Sequence, residues 1–202
     1  VSSATNLYMP SIMRDFPDYV PNTYLQYYLY PEQVVARLDP DHTRTEEVRN
    51  GREKRVFTQC RQAAQQGSTK GLTIAKSEVH ADMIVEVASS IAFDKGELFI
   101  MITRNNGTVS NFHEDAMVET AAHVGANGVT AVPFGKIDVF MKGLMEGQYA
   151  YEHLTVDSYF EGSYKKALQA LTLNRTLVDA QKAKAVLDDL IDANQGYWPE
   201  LK

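Results

Sequence analysis

The chain has 202 residues, of which 44% are hydrophobic and 23% charged, which is ordinary for one sizeable globular domain or two small ones. Its net charge is −6 and its Lys and Arg residues are scattered, which argues against a nucleic-acid-binding surface. The single cysteine excludes an internal disulfide and is typical of a reducing cytoplasm. No apolar run approaches the ~20 residues of a membrane span, and the opening letters VSSATNLYMP lack a signal-peptide pattern. We expect a cytoplasmic protein and interpret the start as an internal one, within a longer parent.

The chain begins with a proline-rich segment, residues 1–21, which we interpret as a leading segment or the end of a linker. Residues 22–202 form the predicted domain. Tyr24, Tyr27 and Tyr28 follow i, i+3, i+4 spacing, which predicts a helix over 22–30 that ends or kinks at the proline after it.

A long polar helix is predicted over 41–66, with Thr43 and Glu46 spaced as a capping box. Gly51 is unfavourable inside it by about 1 kcal/mol relative to Ala. A short strand is expected over 72–75, after a Gly-rich turn.

The middle of the chain alternates between helical and strand patterns. A helix is predicted over 79–94, followed by a strand in ELFIMITRNNGTV, which runs into an Asn-Gly turn. AMVETAAHVGANG, residues 116–128, predicts a second strand with another Asn-Gly turn, and VTAVP is expected to pair near it.

The last third shows three helical apolar stripes, and Asp179 is a plausible cap for the third. The fold class predicted from these elements is α+β, with several helices packed on a small, mostly antiparallel sheet.

The tyrosine cluster and Arg44 are the candidates for chemistry. An aromatic stripe at helical spacing is typical of core packing, and a phenol is a weak base at neutral pH unless a cation helps it ionise. Arg44 lies in the first turn of its helix, where the macrodipole favours anions, so it either faces solvent or holds an anionic group. The loop TRNNGTVSNF has the composition of a site or of an ordinary turn. The five histidines and Cys60 show no metal-ligand spacing, and no dinucleotide or phosphate-binding glycine motif is present.

Several blocks in order, PNTYLQYYLYP, DHTRTEEV, NNGTVSNF, GLMEGQ and the closing QALTLNRTLVDAQKAKAVLDDLIDANQGYWPEL, closely resemble the C-terminal part of glycoside hydrolase family 4. Among its members they look most like the 6-phospho-α-glucosidases, or maltose-6'-phosphate glucosidases. The resemblance extends over nearly the whole chain, from about Asn22 to Lys202. It implies a domain similar to the C-terminal domain of lactate and malate dehydrogenases, with the NAD-binding Rossmann domain absent from this chain.

The family's chemistry, as the resemblance implies it, avoids the usual carboxylate pair of glycosidases. NAD oxidises the sugar at C3, with a divalent metal, usually Mn²⁺, on the C3 oxygen. A tyrosine then removes the C2 proton, the aglycone is eliminated, water adds, and the hydride returns. By resemblance Tyr24 is the proton acceptor, and Arg44 binds the substrate and stabilises the phenolate. Tyr27 and Tyr28 remain packing residues, and no residue of this chain matches a metal ligand or an NAD contact.

The predicted function is therefore the C-terminal part of an NAD- and Mn-dependent 6-phospho-α-glucosidase acting on substrates such as maltose 6'-phosphate. The chain alone is expected to be inactive. Its predicted partners are the phosphorylated disaccharide, the missing N-terminal Rossmann domain and further copies of itself, with no nucleic acid or membrane. Two alternatives stay open: a 6-phospho-β-glucosidase or α-galactosidase of the same family, and a purely structural oligomerisation domain.

Overall fold

The computed structural model of the chain describes residues 8–73, 79–177 and 179–202. Its backbone divides into two compact units. The first unit combines Val1–Leu38 with Asp138–Lys202, and the second is Asp39–Ile137.

The described part of the first unit is helical. Its helices are α1 (Met9–Asp15), α2 (Leu25–Leu29), α3 (Pro31–Val35), α7 (Val139–Glu161), α8 (Tyr164–Leu173) and α9 (Ala180–Ala193).

The core of this unit between its last two helices consists mostly of small apolar side chains. The buried side chains there are Ala167, Ala170, Ala183 and Leu187. The starts of the last three helices, α7, α8 and α9, are capped by side chains. The Asp179 carboxylate accepts the Lys182 N–H at 2.8 Å, which confirms the predicted cap of α9.

The predicted helix over 22–30 is present but shorter. Asn22 Oδ1 accepts the backbone N–H groups of Tyr24 and Leu25, at 2.9 and 3.2 Å, so the first helical residue is Leu25 rather than Asn22. The helix ends at Leu29, before Pro31, as predicted. Pro31 then begins a new helix, because the first turn of a helix does not need the N–H that proline lacks.

The described part of the second unit contains a long helix, three strands and one further helix. The elements are α4 (Arg44–Glu46), a π-helical stretch (Glu47–Glu53), α5 (Lys54–Gln66), α6 (Val79–Ala92), β1 (Glu97–Arg104), β2 (Met117–Gly125) and β3 (Gly128–Ala131).

The first three of these elements are continuous along the chain, and together they are called the 44–66 helix. The Thr43 hydroxyl accepts the Glu46 N–H at 3.2 Å, so this half of the predicted capping box is confirmed. Gly51 lies within the π-helical stretch, where the hydrogen-bond ladder widens by one residue.

The strands form one antiparallel sheet in the order β1-β2-β3. Alternate residues of β2, among them Val118, Ala122 and Val124, are buried on the inner face of the sheet. Helix α6 packs on this unit's sheet, and the buried Ser90 hydroxyl donates to the Val124 carbonyl at 2.6 Å. Helices with a small antiparallel sheet confirm the predicted α+β class.

The strand expected over 72–75 falls partly on residues 74–78, which lie outside the described residues. Within the described ranges, no helix has the length and apolar character needed to cross a membrane.

Candidate functional site

The tyrosine stretch begins the candidate site, and its later members have structural partners. Tyr28 Oη donates to Gln148 Oε1 at 3.2 Å, and Tyr30 Oη donates to Asp15 Oδ2 at 3.2 Å. Burial raises the pKa of the Tyr28 phenol, and burial followed by the Asp15 carboxylate raises the pKa of Tyr30. Both phenols therefore hold their protons more tightly than free tyrosine and are poor bases at neutral pH.

Tyr24 differs from these neighbours in its surroundings. Its side chain is 70% exposed, whereas that of Tyr27, about one helical turn later, is 36% exposed. No described residue hydrogen-bonds to the Tyr24 hydroxyl. The predicted proton acceptor is thus the most accessible of the four phenols in this stretch, and it is not sealed in packing.

Two polar side chains far along the sequence hold the tyrosine stretch in place. Arg175 Nη2 donates to the Tyr28 carbonyl oxygen at 2.9 Å, and Gln148 accepts from the Tyr28 hydroxyl. These residues are 147 and 120 positions from Tyr28. The sequence interpretation missed both as positioning residues, because no local pattern connects residues so far apart.

Arg44 lies where the sequence placed it, at the start of the 44–66 helix. Its Nη1 donates to Glu47 Oε2 at 2.8 Å, and both side chains are about half exposed. An exposed pair of this kind contributes about 0–1 kcal/mol, so an anionic or hydroxyl-rich ligand competes with Glu47 at little cost. Arg44 belongs to the second unit and Tyr24 to the first, and their cooperation stays a prediction.

The asparagine-rich loop after β1 is a structural turn. Asn105 is fully buried, its Nδ2 donates to three backbone carbonyls of the loop, and its Oδ1 accepts the Val109 N–H at 2.6 Å. Asn111 exchanges two hydrogen bonds with the backbone of Ile137. These amides are occupied by backbone partners, so the ordinary-turn alternative is the better interpretation of TRNNGTVSNF.

The described residues contain no group of three or more His, Cys, Asp or Glu side chains that could hold a metal ion. His42 pairs with Asp39 at 2.8 Å, His123 Nδ1 lies 3.0 Å from the Gly96 carbonyl, and Cys60 is an exposed thiol. The donor set of this part of the chain does not fit a metal centre, so we derive no metal-dependent step from it.

The chain belongs to the glycosyl hydrolases of family 4: the profile of the family 4 glycosyl hydrolase C-terminal domain matches residues 4–177. The chain is 48% identical over 197 residues to phospho-alpha-glucosidase PagL of Clostridium acetobutylicum, covering 96% of this chain and 44% of PagL. It therefore spans less than half the length of this curated relative.

Solved structures give the same result. A crystal structure of 6-phospho-alpha-glucosidase from gut microorganisms in complex with NAD and Mn²⁺ matches with a TM-score of 0.88 and 46% identity, over 96% of this chain and 44% of that one. A second such structure, with NAD and glucose-6-phosphate, matches with a TM-score of 0.87 and 44% identity, over 95% and 43%. The 6-phospho-beta-glucosidase BglT of Thermotoga maritima is more distant, at 28% identity over 91% of this chain and 45% of BglT.

Proposed function

We propose that this chain is the C-terminal, substrate-binding part of a 6-phospho-α-glucosidase that hydrolyses 6-phospho-α-glucosides such as maltose 6'-phosphate. The observation that carries the proposal is the 48% identity to a phospho-α-glucosidase, sustained over 197 residues, against 28% to the 6-phospho-β-glucosidase. The glucose-6-phosphate complex of a similar enzyme supports a phosphorylated substrate. NAD and Mn²⁺, which similar enzymes bind, would supply hydride acceptance and activation of the sugar at C3 from outside this chain.

The chain's own contribution is proton transfer and substrate positioning. We assign removal of the C2 proton of the sugar to Tyr24, because its side chain is exposed, whereas the hydroxyls of Tyr28 and Tyr30 are hydrogen-bonded to Gln148 and Asp15. Proton removal next to a carbonyl suits a base of high basicity. We assign to Arg44 the binding of the sugar hydroxyls and the stabilisation of the negatively charged phenolate. Its ion pair with Glu47 opens when the substrate binds.

The alternatives make different predictions. A 6-phospho-β-glucosidase or α-galactosidase of this family would share the elimination chemistry and differ in its preferred glycoside.

The exposed apolar residues around the tyrosine stretch, Val20, Tyr24, Val35 and Leu38, suit contact with the N-terminal Rossmann domain of a parent. A homo-oligomer and a cytoplasmic location complete the proposal.

The central experiment replaces Tyr24 by Phe in the full-length parent and follows both turnover and exchange of the C2 hydrogen with deuterated solvent. We expect kcat to fall by about 10²–10⁴-fold with C2 exchange lost, because the proton acceptor is gone. Tyr27→Phe is the matched control one turn away, and it should leave both quantities nearly unchanged. Wild-type exchange and turnover in Tyr24→Phe would refute the assignment and favour a structural domain.

Three companion measurements test the rest. Arg44→Gln should raise KM for the phosphoglucoside more than tenfold, while Arg49→Gln, on the same helix, should not. The parent should prefer 6-phospho-α-glucosides over their β anomers and over α-galactosides. The 202-residue chain alone, given NAD⁺ and Mn²⁺, should release no glucose 6-phosphate. Measurable release would show that the site is complete without the Rossmann domain.

A further inference from the structure

A cavity of about 380 Å³ lies within the first unit, between its last three helices and the segment that follows them. Helix α7 contributes Tyr151, Thr155 and Ser158, whose i, i+4, i+7 spacing places them on one face. Helix α9 contributes Leu187 and Leu190 at i, i+3 spacing. Cavities of about 300–1,000 Å³ between helices are common binding sites for small molecules.

Residues 198–202, which we call the roof segment, cover one side of this cavity. The roof segment contributes the lining residues Trp198, Pro199 and Leu201. The Lys202 N–H donates to the Gly162 carbonyl at 2.7 Å, and the Tyr164 N–H donates to the Lys202 carbonyl at 3.0 Å. The cover of the cavity on this side therefore belongs to the chain itself and is held by its own backbone.

Gly162 allows the roof segment to approach the end of α7 closely. It caps α7 with a φ of +63°, and a Cβ at this position would lie 2.9 Å from the Glu200 carbonyl oxygen. A side chain there would therefore displace the roof segment. Gly67 caps α5 with a φ of 61°, and no atom of the described residues lies within 4 Å of its Cβ position. Comparing the two glycines separates backbone strain from contact with the roof segment.

The polar groups of the lining are already used. The Thr155 hydroxyl donates to the Tyr151 carbonyl at 2.8 Å, and the Ser158 hydroxyl donates to the Thr155 carbonyl at 2.8 Å. Both hydroxyls are thus satisfied by their own helix, and none of the described lining residues is charged. A charged or strongly polar ligand would lose its hydration without gaining a partner, so the lining favours an uncharged, apolar ligand.

The aromatic residues of the lining favour an aromatic ligand of limited size. Tyr159 and Trp198 are 58% and 41% exposed, whereas Ala167 of α8, which also lines the cavity, is buried. Exposed rings at one end and a buried alanine at the other give a ligand both an entrance and an enclosed position. An apolar cavity of about 150 Å³ holds benzene, so this larger one accommodates one or two rings.

We propose that this cavity is a binding site for a small uncharged aromatic molecule of one or two rings. The ring packs against Trp198 under the roof segment and occupies the space beside Ala167. Burial of its apolar surface supplies the affinity, and contact with the indole ring adds to it. The proposal concerns a second ligand of the domain and assigns no further role to Tyr24 or Arg44.

Trp198 reports on binding directly, because it is the only tryptophan of the chain. The probe is iodobenzene, whose heavy atom quenches tryptophan fluorescence on contact. We expect quenching of the 202-residue chain to saturate as iodobenzene is added and to be reversed by excess toluene. Free N-acetyltryptophanamide is the reference and should show linear quenching without saturation. Quenching of the chain that is linear, or that toluene does not reverse, would refute the site.

Filling the cavity should abolish this binding. Ala167→Leu adds three carbon atoms inside it, and we expect saturable quenching to be lost while circular dichroism shows unchanged helix content. Ala185→Leu is the matched control, since Ala185 is an exposed residue of α9 outside the lining. Saturable quenching that survives in Ala167→Leu would show that the probe binds elsewhere.

Thermal unfolding with toluene tests the roof segment without using fluorescence. Toluene at ten times its Kd should lower the unfolding equilibrium constant about elevenfold. Gly162→Ala should raise the Kd for toluene at least fivefold, whereas Gly67→Ala should leave it unchanged. Trp198→Ala should weaken binding as Gly162→Ala does, and it replaces Ala167→Leu or Gly162→Ala if either fails to fold. An unchanged Kd in Trp198→Ala and Gly162→Ala would contradict a ring bound under the roof segment.

The full-length parent tests whether the cavity accepts a ligand in the whole protein. Isothermal titration calorimetry with iodobenzene should give a Kd similar to that of the chain, and the parent carrying Ala167→Leu should show no binding. Binding to the chain but not to the parent would mean that the N-terminal half occupies the cavity, and it would overturn the proposal. None of these outcomes bears on C2 exchange in Tyr24→Phe, which tests the catalytic proposal separately.

Discussion

The two compact units use amphipathic elements differently. In the first unit the apolar stripes of α8 and α9 meet, and Ala183 and Leu187 are almost completely buried. In the second unit Phe57 and Ile100 belong to equally clear apolar patterns, yet more than half of each side chain is exposed. The difference shows that an apolar pattern specifies a helix or a strand without specifying that a partner for it lies in the same unit.

The second unit compensates partly with buried polar groups. Asn105 and Ser90 are fully buried there, and each bonds to the backbone of a neighbouring segment. Its order therefore depends on hydrogen bonds that position the hairpin and α6, and its outer apolar surfaces remain available for docking.

The sharpest test of this comparison replaces one apolar residue in each unit by alanine. Leu187→Ala should lower the free energy of unfolding by about 3 kcal/mol, because it leaves a cavity in a closed core. Ile100→Ala should cost less than about 1 kcal/mol in the monomer, because the side chain is already mostly in water. Urea denaturation at low protein concentration measures both, and similar losses at the two positions would contradict the contrast.

A second prediction concerns the polar interior of the second unit. Asn105→Ala should lower the free energy of unfolding by about 2 kcal/mol, because it leaves buried backbone groups of the hairpin loop unpaired. Asn127→Ala, at the exposed β2–β3 turn, is the control and should change it by less than about 0.5 kcal/mol. Thermal unfolding followed by circular dichroism checks the pair, and equal melting temperatures would show that the loop tolerates the loss.

The smallest expected effect is a pH dependence in the first unit. The backbone N–H of Met141, together with the Tyr19 hydroxyl and the Phe140 N–H, holds the pKa of Asp138 below its usual value. A carboxyl whose pKa is lower in the folded state stabilises the fold above its unfolded pKa of about 3.9, and this contribution is lost as pH falls through the folded pKa.

Asp138→Asn keeps a side-chain oxygen that caps α7 but removes the ionisation. Denaturant midpoints at pH 7, 4 and 3 should fall more steeply for the wild-type chain than for Asp138→Asn. Parallel curves would mean that Asp138 has no share in the acid sensitivity.

Much of the fold was predictable because its signals are local. The Asp179 cap, the Thr43–Glu46 contact and the Asn-Gly turn after β2 each involve residues a few positions apart. The helix over 22–30 was predicted too long, because the Asn22 side chain accepts backbone N–H groups and the helix begins three residues later, at Leu25. Gly51 was recognised as unfavourable in an α-helix, but its π-helical surroundings were not.

The candidate site was less accessible to sequence reasoning. Resemblance singled out Tyr24 and Arg44, yet the engagement of Tyr28 by Gln148 and Arg175 depends on contacts more than a hundred residues apart. Those contacts separate the phenol that is open to solvent from those that are occupied. Helical spacing alone does not distinguish one of these tyrosines from another.

The sequence by itself determined the α+β class and most element positions, because hydrophobic period, capping and turn residues act over a few positions. The family followed separately, from the resemblance of several blocks in the same order. Tertiary structure alone decided which asparagines and tyrosines are used up by internal hydrogen bonds. It also decided which apolar faces remain open. Burial and hydrogen-bond partners depend on contacts between segments that are distant in sequence, and local sequence patterns carry no information about those contacts.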